Sequence, residues 1–178
     1  MNKKQDILKA ALVLFTEQGA RATSTKSIAK EAGVSEALIF KHFGTKDQLL
    51  EELIKKGYQE ATKFTSTFLV ADSPQEFLSK FLDLPQKLVD HQFDFWRMQY
   101  KIMPLNPIAY QYHNNFMKPS FDRLKLSFET LSYKYPELEA EMTLLLTDNI
   151  WKNYVTETLT KEKCEDIALL MKKKYDLI

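Results

Sequence analysis

The chain has 178 residues, is 44% hydrophobic and carries a net charge of +1, with four glycines, six prolines and one cysteine. That length and apolar share allow a buried core, the scarcity of glycine and proline argues against many short strands, and the near-neutral balance names no partner in bulk. Cys164 alone excludes an intrachain disulfide, and the longest apolar run, 10–15, is far too short for a membrane span and follows no signal peptide, so a cytoplasmic protein is expected.

Hydrophobic spacing predicts helices throughout. Ile7, Ala11 and Phe15 recur every four residues beside Leu8 and Leu12, giving a helix over 3–18 that Gly19 stops. Ser24 is placed to cap a second helix, striped by Ile28, Ala29 and Ala32 and ended by Gly33. Ser35 caps a third, 36–42, with Ile39 and Phe43 inside, and Gly44 and Thr45 break it. A fourth runs over 46–63 on Leu49, Leu50, Leu53 and Ile54. Ser73, Pro74 and Glu76 read as a capping box with proline at the first helical position. The helix that follows carries Phe77, Phe81, Leu84 and Leu88, with a bend expected at Pro85, and a short aromatic segment spans 92–102. Asn106 and Pro107 start another helix bearing Met117, Phe121, Leu124, Phe128 and Leu131, with a kink expected at Pro119. Pro136 opens a long one to 159, and Thr160 caps the last, ending near Tyr175. There is no internal repeat, low-complexity tract or linker, so the expected fold class is all-α.

Charge is spread unevenly. Residues 1–46 hold eight Lys/Arg against four Asp/Glu, whereas 47–178 hold 17 against 20. A basic end on an acidic body suits docking on phosphates, with an ordinary solvated surface as the alternative. The informative stretch is 19–50, GARATSTKSIAKEAGVSEALIFKHFGTKDQLL. Two short helices separated by Ala32, Gly33, Val34 and Ser35 have the layout of a helix-turn-helix. Glycine allows the positive φ of the turn, Ala29 is small enough for close helix approach, and Val34 and Ile39 fill the angle. The second helix of the pair then turns Glu36, Ala37, Leu38, Lys41 and His42 outward, toward a major groove.

Phe15 with Gly19, the pair Ile28 and Ala29, the run Ala32 to Ser35, the run Phe40-Lys41-His42-Phe43, then Lys46, Leu49 and Leu50 together resemble the TetR family of one-component repressors, over about 7–54. The resemblance implies phosphate contacts by Ser24 and Thr25 with charge from Lys26, a capping and backbone-touching Ser35, base contacts by Ala37 and Leu38, and backbone contacts by Lys41, His42 and Lys46. Glu36 is placed to accept from a cytosine amine, to repel phosphate, or simply to be solvated. Three departures from the family pattern stand out. Ser27 occupies a site where the family often has a capping-box glutamate, so a looser cap is expected. Phe40 replaces a tyrosine on the DNA-binding helix, packing equally well but without a hydrogen bond to phosphate. Leu38 replaces a small residue and suits a thymine methyl.

The same resemblance divides the chain into a helix-turn-helix domain, 1–46, a connector helix, 46–63, and a ligand-binding and dimerisation body within 47–178. Aromatics and methionines concentrate over 93–121. Trp96, Tyr100, Met103, Tyr110, His113, Phe116 and Met117, with Trp151 and Tyr154, are candidates to line a pocket for a small, mostly apolar or amphipathic effector. An ordinary core edged by tyrosines is the alternative. Leu138, Met142, Leu145, Asn149, Thr156, Ile167, Leu170 and Met171 are candidate dimer positions. A homodimer would present two recognition helices to the half-sites of a double-stranded, palindromic operator. No enzyme activity and no cofactor are expected: three histidines, one cysteine and no glycine-rich phosphate loop give neither a catalytic cluster nor metal-ligand spacing. The competing expectation is a helical protein–protein adaptor with a degenerate helix-turn-helix.

Overall fold

The computed structural model describes residues 2–178. Over these residues the chain is all-helical: α1 (Lys3–Gln18), α2 (Thr25–Glu31), α3 (Glu36–Phe43), α4 (Lys46–Phe68), α5 (Pro74–Ile102), a 3-10 turn (Met103–Leu105), α6 (Pro107–Thr130), α7 (Pro136–Val155) and α8 (Lys161–Lys174). Local chemistry sets most starts. Ser24, Ser35 and Thr160 each accept the backbone N–H three residues on, at 3.0, 3.3 and 3.3 Å, satisfying donors that a helix start leaves without a partner. At the start of α5, Glu76 N–H donates to Ser73 Oγ (3.2 Å), while the Glu76 carboxylate reaches back to Asp72 N–H (2.9 Å) instead of that of Ser73. That bond and Lys80 hold the carboxyl below its ordinary value, the lysine contributing most.

Three boundaries differ from the periodicity. α4 continues to Phe68, because Ala61 and Leu69 extend its buried side. The aromatic segment over 92–102 is the second half of α5, and the backbone leaves helical angles at Gln92 (φ −144°, ψ 48°), seven residues beyond the expected bend at Pro85. Likewise α6 runs through Pro119 as one element.

The helices form two compact units. The first comprises the described residues up to Gln59 and residues 94–113. Its core holds Ile7, Ala11, Phe15, Ile28, Ile39, Leu49 and Ile54, each fully buried. Around Tyr58 lie the rings of Phe95, Trp96 and Tyr112 at 5.4–6.0 Å, and the Tyr58 hydroxyl meets His113 Nδ1 at 3.0 Å. Gly57 is needed there, since a Cβ on it would run into the Phe95 ring.

The second unit comprises 60–93 and 114–178. Its core is built on Phe77, Leu78, Phe81, Leu88, Leu124, Phe128 and Trp151. Tyr175 closes one end against Phe128 and Tyr133, and its hydroxyl donates to Glu139 at 2.9 Å. Burial, reinforced by Glu139, pushes its phenol up to about 12. No helix among the described residues is long and apolar enough to cross a membrane.

Candidate nucleic-acid interface

α2 and α3 form the expected hinged pair. Gly33 turns the chain at φ +62°, with Gly33 N–H donating to Lys30 O and Val34 N–H to Ala29 O. Ile28, Ile39 and Phe43 are buried and Val34 is half-buried, so the pair is locked from inside. Ala37, Phe40, Lys41 and His42 are exposed on α3, and Glu36 and Leu38 half-exposed. Ala37, Phe40 and Lys41 are spaced i, i+3, i+4 and share one outward face.

Two expectations need correcting. Ser27 does not leave α2 loosely capped: Ser24 N–H donates to Ser27 Oγ at 3.2 Å, and Ser27 N–H to Ser24 Oγ at 3.0 Å, closing the box with a short hydroxyl in place of a carboxylate. Phe40 does not pack inward. It stands 47% exposed, because its neighbour Ile39 takes the inward position.

Other side chains are committed in ways the sequence did not reveal. Thr25 Oγ1 donates to Glu36 Oε1 (2.5 Å), which ties the start of α2 to the start of α3 and fixes the glutamate. Thr25 therefore has its backbone N–H, not its hydroxyl proton, to offer a phosphate. Lys46 Nζ donates to Ala20 O (2.8 Å) and Thr23 O (2.9 Å), fastening the loop between α1 and α2; an ammonium has three protons, so one remains. Thr23, buried and overlooked in the sequence, donates within the same loop to Gly19 O and Leu14 O. Lys101 caps α1, donating to Thr16 O and Glu17 O at 2.9 and 2.7 Å. Ser24, Lys26 and Ser35 are exposed at the helix starts.

The residues proposed for an effector pocket are divided between the units. Trp96, Tyr100 and His113 are buried in the first, with Met103 half-buried and Tyr110 56% exposed. Phe116, Met117, Trp151 and Tyr154 lie in the second. There the Phe116 and Trp151 rings meet edge-on at 6.2 Å, and Tyr154 Oη donates to Asp90 Oδ1 at 3.0 Å. Of the dimer candidates, Leu138, Met142, Leu145 and Leu170 are each more than half exposed, Asn149 and Thr156 are exposed, and Ile167 and Met171 are half-buried. Among the described residues no group of three or more His, Cys, Asp or Glu is gathered that could hold a metal ion.

Comparison with known proteins supports this geometry. Residues 7–53 match the family profile of bacterial regulatory proteins of the tetR family. The chain is 40% identical over 77 residues to the HTH-type transcriptional repressor Rv3405c of Mycobacterium tuberculosis, which is 43% of this chain and 39% of that protein. The match thus spans about two-fifths of the relative's length. Among solved structures, the TetR family transcriptional regulator PfmR of Thermus thermophilus superposes with a TM-score of 0.73 at 21% identity, over 94% of this chain and 91% of PfmR. The fatty acid degradation regulator FadR of Bacillus halodurans gives 0.74 at 19% identity, over 97% and 94%. The helix pair, its glycine hinge and the fold that carries it agree: through its helix-turn-helix domain, the chain belongs to the tetR family of bacterial regulatory proteins.

Proposed function

We propose that the chain is a transcriptional repressor that binds a palindromic operator as a homodimer and is released by a small, mostly apolar effector. The observation that carries this reading is the outward face of α3, where Ala37, Phe40 and Lys41 stand exposed on a helix capped by Ser35 and locked from behind by Ile39 and Phe43. A rigid helix with its N-terminal residues free is what a major groove admits. Lys26, Lys41, His42 and the remaining proton of Lys46 serve the backbone phosphates, together with Ser24, Ser35 and the Thr25 N–H. Leu38, Ala37 and Phe40 meet the bases, and Glu36, held by Thr25, faces a cytosine amine. The exposed stripe on α7 and α8 supports pairing of two chains, and α4, which begins at Lys46, carries the effector's influence to the operator. Such a switch needs an effector that binds one state of the dimer better than the other.

The test is a fluorescence-anisotropy titration of the dimer against DNA from its own upstream region, over a range of salt. Binding should weaken steeply as salt rises, because phosphate contacts release counterions. Lys41→Ala should lower affinity for all sequences and flatten the salt slope by about one. Phe40, an exposed aromatic, favours one competing reading, a protein-docking helix. No affinity for any duplex at low ionic strength would decide for that competitor.

A further inference from the structure

In the second unit, the end of α4, the start of α5 and the middle of α6 enclose a groove of about 350 Å3. Its floor is apolar, made by Leu69, Phe77, Phe116 and Pro119, and Thr65 and Ser66 stand on its α4 wall. Arg123 closes one end. Its guanidinium lies 4.2 Å from the centre of the Phe77 ring, and its Nη1 donates to Leu69 O at 2.8 Å. These two contacts hold a flexible side chain in one place. Among the described residues no carboxylate pairs with it, and the adjacent Asp122 is engaged by Lys118. A guanidinium has five N–H donors in a planar fork, so most of them remain for a ligand. The α4 wall offers the opposite character: Thr65 and Ser66 give their hydroxyl protons to Thr62 O and Lys63 O, leaving oxygens that only accept.

We propose that this groove is the effector site, and that it takes small monocarboxylates with an apolar body, the carboxylate clasped by Arg123 and the body laid on Leu69, Phe77 and Phe116. The acceptor-only wall turns an anionic group away from the α4 side and toward the arginine. The volume sits at the lower end of small-molecule sites, which fits a medium-chain or single-ring acid. The proposal rests on the repressor reading only in making this ligand the effector. α4 supplies one wall of the groove and, at its other end, Lys46 and the core of the helix-turn-helix.

The experiment is calorimetric titration of the full chain with octanoate and benzoate, each beside its methyl ester, in carboxylate-free buffer. The acids should bind, and each ester should bind at least about tenfold more weakly, since a charge-assisted pair is lost. Arg123→Met should weaken octanoate to a similar degree and leave the ester unchanged. Arg123→Lys, which keeps the charge over Phe77 but not the fork, should fall between them and covers the case in which the methionine variant fails to fold. Equal binding of acid and ester, no binding of either acid, or unchanged affinity in both variants would overturn the proposal. Operator titrations of the same samples separate the two readings. Carboxylate binding without DNA affinity removes the repressor reading and leaves the groove; DNA affinity without carboxylate binding removes only the groove.

Discussion

Two glycines illustrate how one substitution draws on different physics. Gly33 turns the helix pair at φ +62° with no atom within 4 Å of where a Cβ would stand. Gly57 has ordinary helical geometry in α4, and a Cβ there would collide with the Phe95 ring. Gly33→Ala should therefore cost about 1–2 kcal/mol through backbone strain alone. Asn tolerates that conformation, so Gly33→Asn should recover much of the loss. Gly57→Ala gains about 1 kcal/mol of helix propensity, but overpacking costs about 1–3 kcal/mol. The ring should win, and Gly57→Asn should be worse still. Urea denaturation of the four variants checks both claims. A rescue by Asn at 57, or none at 33, would contradict this assignment.

At the scale of the element, the readable features are those whose partners lie close in sequence. Ser24, Ser35 and Thr160 were legible as caps because the N–H each accepts is three residues away. The hinge was legible because only glycine is at ease at that φ. Lys46 and Lys101 were not, since their amino groups reach carbonyls 23–26 and 84–85 residues away and leave no periodic trace. Composition located the aromatic mass over 93–121 but not its distribution between two units, because α5 and α6 each pass through both. Arg123 escaped notice for the same reason: Leu69 and Phe77, which position it, are distant in sequence. For α3 the structure adds Phe40 to the outward face beside Ala37 and Leu38, three apolar side chains where base edges would lie. Apolar groups read the thymine methyl. Operator DNA with deoxyuridine in place of thymidine, which lacks only that methyl, should bind about threefold to tenfold more weakly, on the order of 1 kcal/mol. Phe40→Ala and Leu38→Ala should each shrink the difference. Equal affinity for both DNAs would remove these side chains from base reading and leave them as contacts of shape alone.

Across the whole molecule, what a single chain leaves uncovered is as informative as what it buries. Leu138, Met142, Leu145 and Asn149 follow i, i+4, i+7, i+11 along α7, one face of the helix, and the first three are 56%, 54% and 71% exposed. Leu170 on α8 is 66% exposed. Scattered apolar residues on a surface mean little, but a continuous helical stripe of large ones fits a self-complementary interface about a two-fold axis. Leu145→Lys is the decisive change. The side chain makes little contribution to its own chain's core, so the variant should keep its helical content and melt close to the parent when both are compared as monomers. Across a two-fold axis the same change brings lysines from both chains toward one apolar seam, where burying unpaired charge costs several kcal/mol. Sedimentation equilibrium should show a dimer for the parent and a monomer for the variant. Operator affinity should fall with it by about a hundredfold, since each half-site would then be bound independently, whereas affinity for an isolated half-site should stay unchanged. A variant that remains dimeric, or a monomer that holds the full operator as tightly as the parent, would show that the stripe on α7 is not where two chains meet.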